Sequence, residues 1–180
     1  NKKFSSELRR KKKKLLEKYK VMFKTLFLAK QKDLIEKILL KKNSYLKKKK
    51  ISNSVNESLI DFYKKLSDLC PEKLVAGLIQ VDGKTIAASI GIIENKRFYY
   101  LVPVIFYEEF NSFSPGKILI NYLINWTIKN DLKVFDFGIG EETYKKYWSN
   151  YSTRIFRHLD YRGAKGFLVF LIIKIYLKFK

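Results

Sequence analysis

The chain has 180 residues, 47% of them apolar, and carries 38 basic against 17 acidic residues, for a formal net charge of +21. That length and apolar share fit a folded domain with a sizeable core and exclude disorder as a whole-chain description. A single cysteine, Cys70, excludes an internal disulfide and any metal cluster built from cysteines.

Twenty of the basic residues and four of the acidic ones fall in residues 1–50, so this stretch alone carries +16. Lysine outnumbers arginine 32 to 6. Lysine is the poorer residue for bidentate recognition, so the charge suits a solvated helix face or a diffuse anionic partner such as RNA or anionic lipid. Residues 1–30 hold no signal-peptide pattern, which predicts a cytoplasmic protein, at most peripheral to the inner face of the membrane. Because the chain opens on Asn1 and not on Met, a longer parent protein is part of the expectation.

In chain order, residues 6–20 read as a basic helix with Leu8, Leu15, Leu16 and Tyr19 on its apolar side, and residues 21–27 as a strand. A helix follows over 31–49, with Leu34, Ile35, Ile38, Leu39 and Leu46 at helical spacing. A third helix opens at a capping box formed by Ser54 and Glu57 and stops before Pro71. The pattern then changes to three strand-like runs, KLVAGLIQV, KTIAASIGIIE and RFYYLVPVI. Asp82-Gly83 joins the first two and Glu94-Asn95-Lys96 the next two, so residues 73–105 form an antiparallel meander. After a loop comes a helix over about 116–129 and a strand, KVFDFG, and this strand–helix–strand order predicts a parallel pair. The tail is read as a strand over TRIFRHLDYRG, bearing the one histidine, His158, in an ordinary structural place. The apolar end FLVFLIIKIYLKFK is read as a strand completing the fold, with a membrane-surface helix as the alternative; it is too short to cross a bilayer.

Two stretches carry chemistry. In NSFSPGK, Pro115 suits a first helical turn, Ser114 an N-cap, Gly116 leaves room and Lys117 adds charge, so the helix N-terminus after the meander is a ready anion site. In FDFGIGEETYKKYW, Asp136, Gly138, Gly140, Glu141, Glu142, Tyr144 and Lys145 crowd within ten residues after a strand. No histidine–cysteine cluster points to a metal, and no Walker-type glycine loop is present.

The order of elements resembles the GNAT (Gcn5-related N-acetyltransferase) superfamily. The resemblance implies an α/β fold with a mixed sheet, an antiparallel meander, splayed parallel strands and flanking helices. It treats residues 1–180 as a single domain, with a basic helical part over 1–70 and a donor-binding sheet part over 71–180. The superfamily's pyrophosphate turn would fall on Asn111, Ser114 and Gly116, of which only Gly116 keeps the superfamily's residue. SPGK followed by DFGIGEETYKKYW is also similar to the CelD-type and FemAB-related branch. Its motif matches Ser114, Pro115, Gly116, Asp136, Phe137, Gly138, Gly140, Glu141, Glu142, Tyr144, Lys145 and Trp148.

The resemblance implies an acyltransferase, with acetyl-CoA or another acyl-CoA as co-substrate and no metal. Its acceptor would be a small-molecule or sugar amine, in surface polysaccharide or cell-envelope biosynthesis. Asn111, Ser114, Pro115, Gly116, Lys117, Gly138 and Gly140 would hold the donor. Tyr144 would be the acid for the leaving thiolate, and Glu141 or Glu142 the base. Lys145 would bind a phosphate or polarise a carbonyl, and Asp136 would orient Lys145 or the turn. Two alternatives stand beside this reading. One is a FemAB-like transferase using charged tRNA; the other is a module without chemistry whose basic helices dock on membrane or RNA.

Overall fold

The computed structural model describes residues 2–51, 55–156 and 158–178. The chain divides into two compact units, Asn1–Tyr147 and Trp148–Lys180. The first unit holds five strands in one sheet of order β1-β2-β3-β4-β5: β1 Val21–Phe27, β2 Leu74–Val81, β3 Lys84–Glu94, β4 Arg97–Ile105 and β5 Val134–Asp136. The first four run antiparallel to their neighbours, and β5 joins β4 in parallel, giving the mixed sheet expected of a GNAT fold. Helices α1 (Lys2–Lys18), α2 (Lys32–Lys48), α3 (Glu57–Leu69) and α4 (Pro115–Lys129) flank it. Single 3-10 turns cover Glu108–Phe113 and Thr143–Tyr147.

Local chemistry explains the boundaries. Asp82 and Gly83 both take positive φ, as do Asn95 and Lys96, which matches the tight primed turns that follow the right-handed twist of a hairpin. The expected cap Ser54 lies outside the described residues; α3 is capped by Asn56, whose side-chain oxygen accepts the Leu59 N–H at 3.0 Å.

The sheet is covered on both faces. On one, Leu74, Ala76 and Leu78 of β2 and Ala88 and Ile90 of β3 pack into a single buried cluster with Ile35, Ile38 and Leu39 of α2 and Tyr63 of α3. On the other, the fully buried Leu123 of α4 sits directly over Gly77 of β2, where an added Cβ would lie 2.6 Å from a Leu123 methyl. Thr25 donates from β1 to the Tyr122 hydroxyl of α4 at 3.1 Å.

One irregularity shapes the β4 edge of the sheet. The β3–β4 register slips between Ile90↔Val102 and Gly91↔Tyr100, leaving Leu101 as a bulge residue. The alternation of β4 inverts across it. Phe98 meets Trp126 of α4, whereas Val102 and Val104 belong to the cluster under α2 and α3.

The second unit departs from expectation. No strand forms among the described residues of 153–163, and His158 is exposed outside any strand. The apolar tail is a helix, α5 (Gly163–Lys178), and not a strand. At 16 residues it exceeds an ordinary strand, and a continuous apolar run has no periodicity to separate helix from strand. Tyr161 packs on Phe167 and Phe170 at ring separations of 5.0 and 5.1 Å. Among the described residues no helix is long and apolar enough to cross a membrane.

Replacing Gly77 by Val forces a branched side chain into Leu123. The expected loss is about 1–3 kcal/mol of stability in urea unfolding. Gly77→Val combined with Leu123→Ala should cost less than the two separate losses added, because the valine fills space the leucine vacates.

Candidate active site

β5 pairs with β4 only at Arg97↔Val134, Phe98↔Phe135 and Tyr99↔Asp136, while β4 runs on to Ile105. β5 ends at Asp136, so from Tyr100 onward this edge of β4 has no paired strand among the described residues. Pro103, which has no N–H to give a ladder, lies in the stretch of β4 beyond the pairing, and the Leu101 bulge stands just after it ends. The last residue of β5 is held on two sides. The Arg97 guanidinium donates to one Asp136 oxygen at 2.8 Å, and the other Asp136 oxygen accepts the Gly138 N–H at 2.8 Å.

At the far end of β4 lies the turn into α4. Ser114 takes the left-handed conformation (φ 56, ψ 55), and its N–H donates to the Asn111 carbonyl at 2.9 Å. Its hydroxyl does not cap the helix as the sequence suggests. It accepts from Lys11 Nζ at 2.9 Å, a side chain of α1 that the sequence gives no sign of placing here. Gly116 faces Ile105, which an added Cβ would just touch at 3.4 Å. Lys117 Nζ sits 5.4 Å from the centre of the Phe4 ring. Glu7 reports the local field: its hydrogen bond to Lys11 and the Lys11 charge, and then the charges of Lys117 and Arg10, hold its carboxyl below the usual range.

The segment after β5 follows directly on Asp136. Gly138 (φ 69) and Gly140 (φ 121) lie in the left-handed region, and a Cβ on Gly140 would meet the Glu142 carboxylate at 2.4 Å. Lys145, only 9% exposed, is turned inward. Its Nζ donates to the carbonyls of Gly138, Ile139 and Gly140 at 3.3, 2.9 and 3.4 Å and pairs with Glu142 at 2.7 Å. That hydrogen bond, aided by the Lys145 and Lys42 charges, holds the Glu142 carboxyl below its ordinary value, while burial lowers the Lys42 amine. Glu141 is exposed.

Tyr144 is half-buried. Partial burial, and behind it the Glu142 charge, raise its hydroxyl above the usual tyrosine value, so it stays protonated near neutrality. A run of ring contacts leads to it from β4, just past the last paired residue: Tyr100 to Phe137 at 6.0 Å and Phe137 to Tyr144 at 6.1 Å. Phe4 of α1 ties the two sides together, stacking on Tyr147 at 5.0 Å while lying beneath Lys117. Trp148 of the sequence motif opens the second unit.

The site therefore sets together an unpaired edge of β4, a basic helix N-terminus at the far end of that strand and a protonated tyrosine after β5. Residues 2–146 match the family described as "Acetyltransferase (GNAT) domain". The chain belongs to the GNAT acetyltransferase family. No curated protein matches the sequence. Among solved structures it is similar to "a possible acetyltransferase from Clostridium difficile 630" (TM-score 0.57, 13% identity, 80% of this chain and 98% of the other). It is also similar to an aminoglycoside acetyltransferase from an uncultured soil metagenomic sample, in complex with sisomicin (TM-score 0.56, 10% identity, 80% and 97%). A third is the aminoglycoside N-acetyltransferase AAC(6')-Iy in complex with CoA (TM-score 0.53, 10% identity, 79% and 95%). At these identities the likeness is one of fold. Among the described residues no group of three or more acidic, histidine or cysteine side chains could hold a metal ion.

Lys145→Met leaves three carbonyls without their donor and should lower stability by about 1–3 kcal/mol. The backbone NMR shifts of residues 138–142 should move with it. Because Glu142 titrates lower in the folded chain than in the unfolded one, its pair with Lys145 stabilises above pH ~4.5. That contribution is lost as pH falls through the folded value. The same shifts should therefore move on acidification below pH ~4.5, and Glu142→Gln should remove that movement.

Proposed function

We propose that the protein is an N-acyltransferase that moves an acyl group from acyl-CoA to a primary amine, binding the donor along the open edge of β4. The observation that carries this reading is the edge of β4 left unpaired once β5 ends at Asp136, with the helix N-terminus at Ser114–Lys117 after that strand and Tyr144 after β5. A pyrophosphate-bearing group fits the turn at Ser114–Lys117. The helix dipole, Lys11 and Lys117 favour an anion there, and Gly116 keeps the approach open. The coenzyme supplies a thioester, whose thiolate leaves with a pKa near 8.5 and needs little assistance.

The amine nitrogen attacks the thioester carbonyl carbon, the carbon–sulfur bond breaks, and Tyr144 gives its proton to the departing sulfur. Glu141, exposed beside the turn, takes the amine proton through water. Glu142, Lys145 and Asp136 build and hold the loop that presents Tyr144. The CelD-like and FemAB-like motif supports an amino-sugar acceptor in surface polysaccharide or cell-envelope biosynthesis. Aminoglycosides, named with two of the structural relatives, are amino sugars as well. A charged-tRNA donor, or an anionic membrane, rests on the net charge of residues 1–50 alone, whereas the coenzyme reading has the turn and the cleft.

Acetyl-CoA at ~100 times its dissociation constant should stabilise the fold by about 2.7 kcal/mol in thermal unfolding, and Gly116→Leu should abolish the shift. Tyr144→Phe should retain the shift while lowering kcat for acyl transfer about 10²–10⁴-fold. A tyrosine variant with unchanged kcat would remove Tyr144 from the chemistry.

A further inference from the structure

We propose that the groove between α1 and the Glu108–Phe113 turn is a second phosphate site, distinct from the turn at Ser114–Lys117, and that it takes a phosphate monoester. The groove is an open cavity of about 630 Å³. Arg10, Lys14 and Lys18 line it from α1, and Ser112 and Phe113 from the facing turn. The three cations are four residues apart, so they stand in one row on one helix face; Lys11 also lines the groove, with its charge paired to Glu7 at 3.0 Å. Like charges at that spacing repel, and a bound dianion would relieve the repulsion.

Glu17 also lines the groove and lies 3.7 Å from Lys13 outside it, so the lining holds four cations and one carboxylate. The wall is also built, not a chance fold of a mobile helix. Tyr19, just past α1, packs edge-on against Phe110 at 5.5 Å and Phe113 at 6.0 Å, fixing α1 against the turn. The groove is continuous with the donor turn: Lys11 lines it and at the same time donates to Ser114 at 2.9 Å. A ligand with a pyrophosphate at Ser114–Lys117 and a separate monoester can therefore engage both.

Two sources have this chemistry: the 3′-phosphate of coenzyme A, or a phosphate on the amine acceptor. The first rests on the acyl-CoA reading above; the second does not. The test is calorimetric binding of coenzyme A, dephospho-coenzyme A, adenosine 3′,5′-bisphosphate and phosphoethanolamine to the full chain. It is made on wild type, on Arg10→Ala/Lys14→Ala, and on Lys47→Ala/Lys49→Ala, which removes the same charge from exposed positions on and after α2.

The groove variant should bind coenzyme A and the bisphosphate about tenfold or more weakly, through lost charge-assisted hydrogen bonds, while dephospho-coenzyme A is unaffected. That result assigns the site to the donor. Selective loss of phosphoethanolamine instead assigns it to the acceptor. If wild type binds no coenzyme A but the groove variant still weakens the bisphosphate or phosphoethanolamine, the acyl-CoA reading falls and the phosphate site stands. If no phosphate ligand loses more affinity in the groove variant than in the α2 control, the proposal is overturned.

Discussion

The rest of the structure depends on a parallel pairing that lasts three residues and then stops. Arg97, Phe98 and Tyr99 hold β5 to β4, and the strand pairing goes no further. A sheet edge normally leaves backbone groups that need partners. Here β5 stops at Asp136, and the edge of β4 beyond it carries a bulge at Leu101 and a proline at 103. Asp136 is the pivot, because one carboxylate both ends the pairing through Arg97 and starts the turn through Gly138. Removing that carboxylate would take the shared acceptor from the Arg97 guanidinium and the Gly138 N–H.

The second constraint is the inward lysine. Lys145 spends its donors on three successive carbonyls and one carboxylate, so the glycine-rich loop has a charged centre where a hydrophobic one would be ordinary. Desolvating an ammonium is costly unless its hydrogen bonds are made, and here they are made by the backbone it organises. This accounts for the dense motif after β5. The glycines supply backbone that can wrap a cation, Glu142 balances its charge, and Tyr144 is carried on the resulting 3-10 turn.

Much of this was legible in one dimension. The hairpin turns carry Asp-Gly and Asn-Lys at the positions where positive φ is needed, and the apolar runs on either side of them are the strands β2, β3 and β4. The parallel strand follows from the crossover length. The tail was not legible. Its β-branched, continuous apolar run satisfies a strand and a helix equally, and the choice of helix was made by length and local packing around Tyr161. Nor did the sequence mark Lys11, and although its motif singles out Lys145, it did not show that this lysine turns inward onto the loop's own carbonyls, since a lysine's role is set by what faces it.

Sequence by itself determined the order of elements, the kind of sheet, the position of the anion-favouring turn and the block of residues after β5, because those depend on local periodicity, turn chemistry and spacing. Only the tertiary structure decided that Asp136 answers Arg97, that Lys145 points inward, that Ser114 is held by a lysine 103 residues away, and that Phe4 bridges Lys117 and Tyr147. Most of these are contacts between elements distant in the chain. Their energy comes from the fold bringing two groups into one desolvated place, and no single segment records where its partner will be.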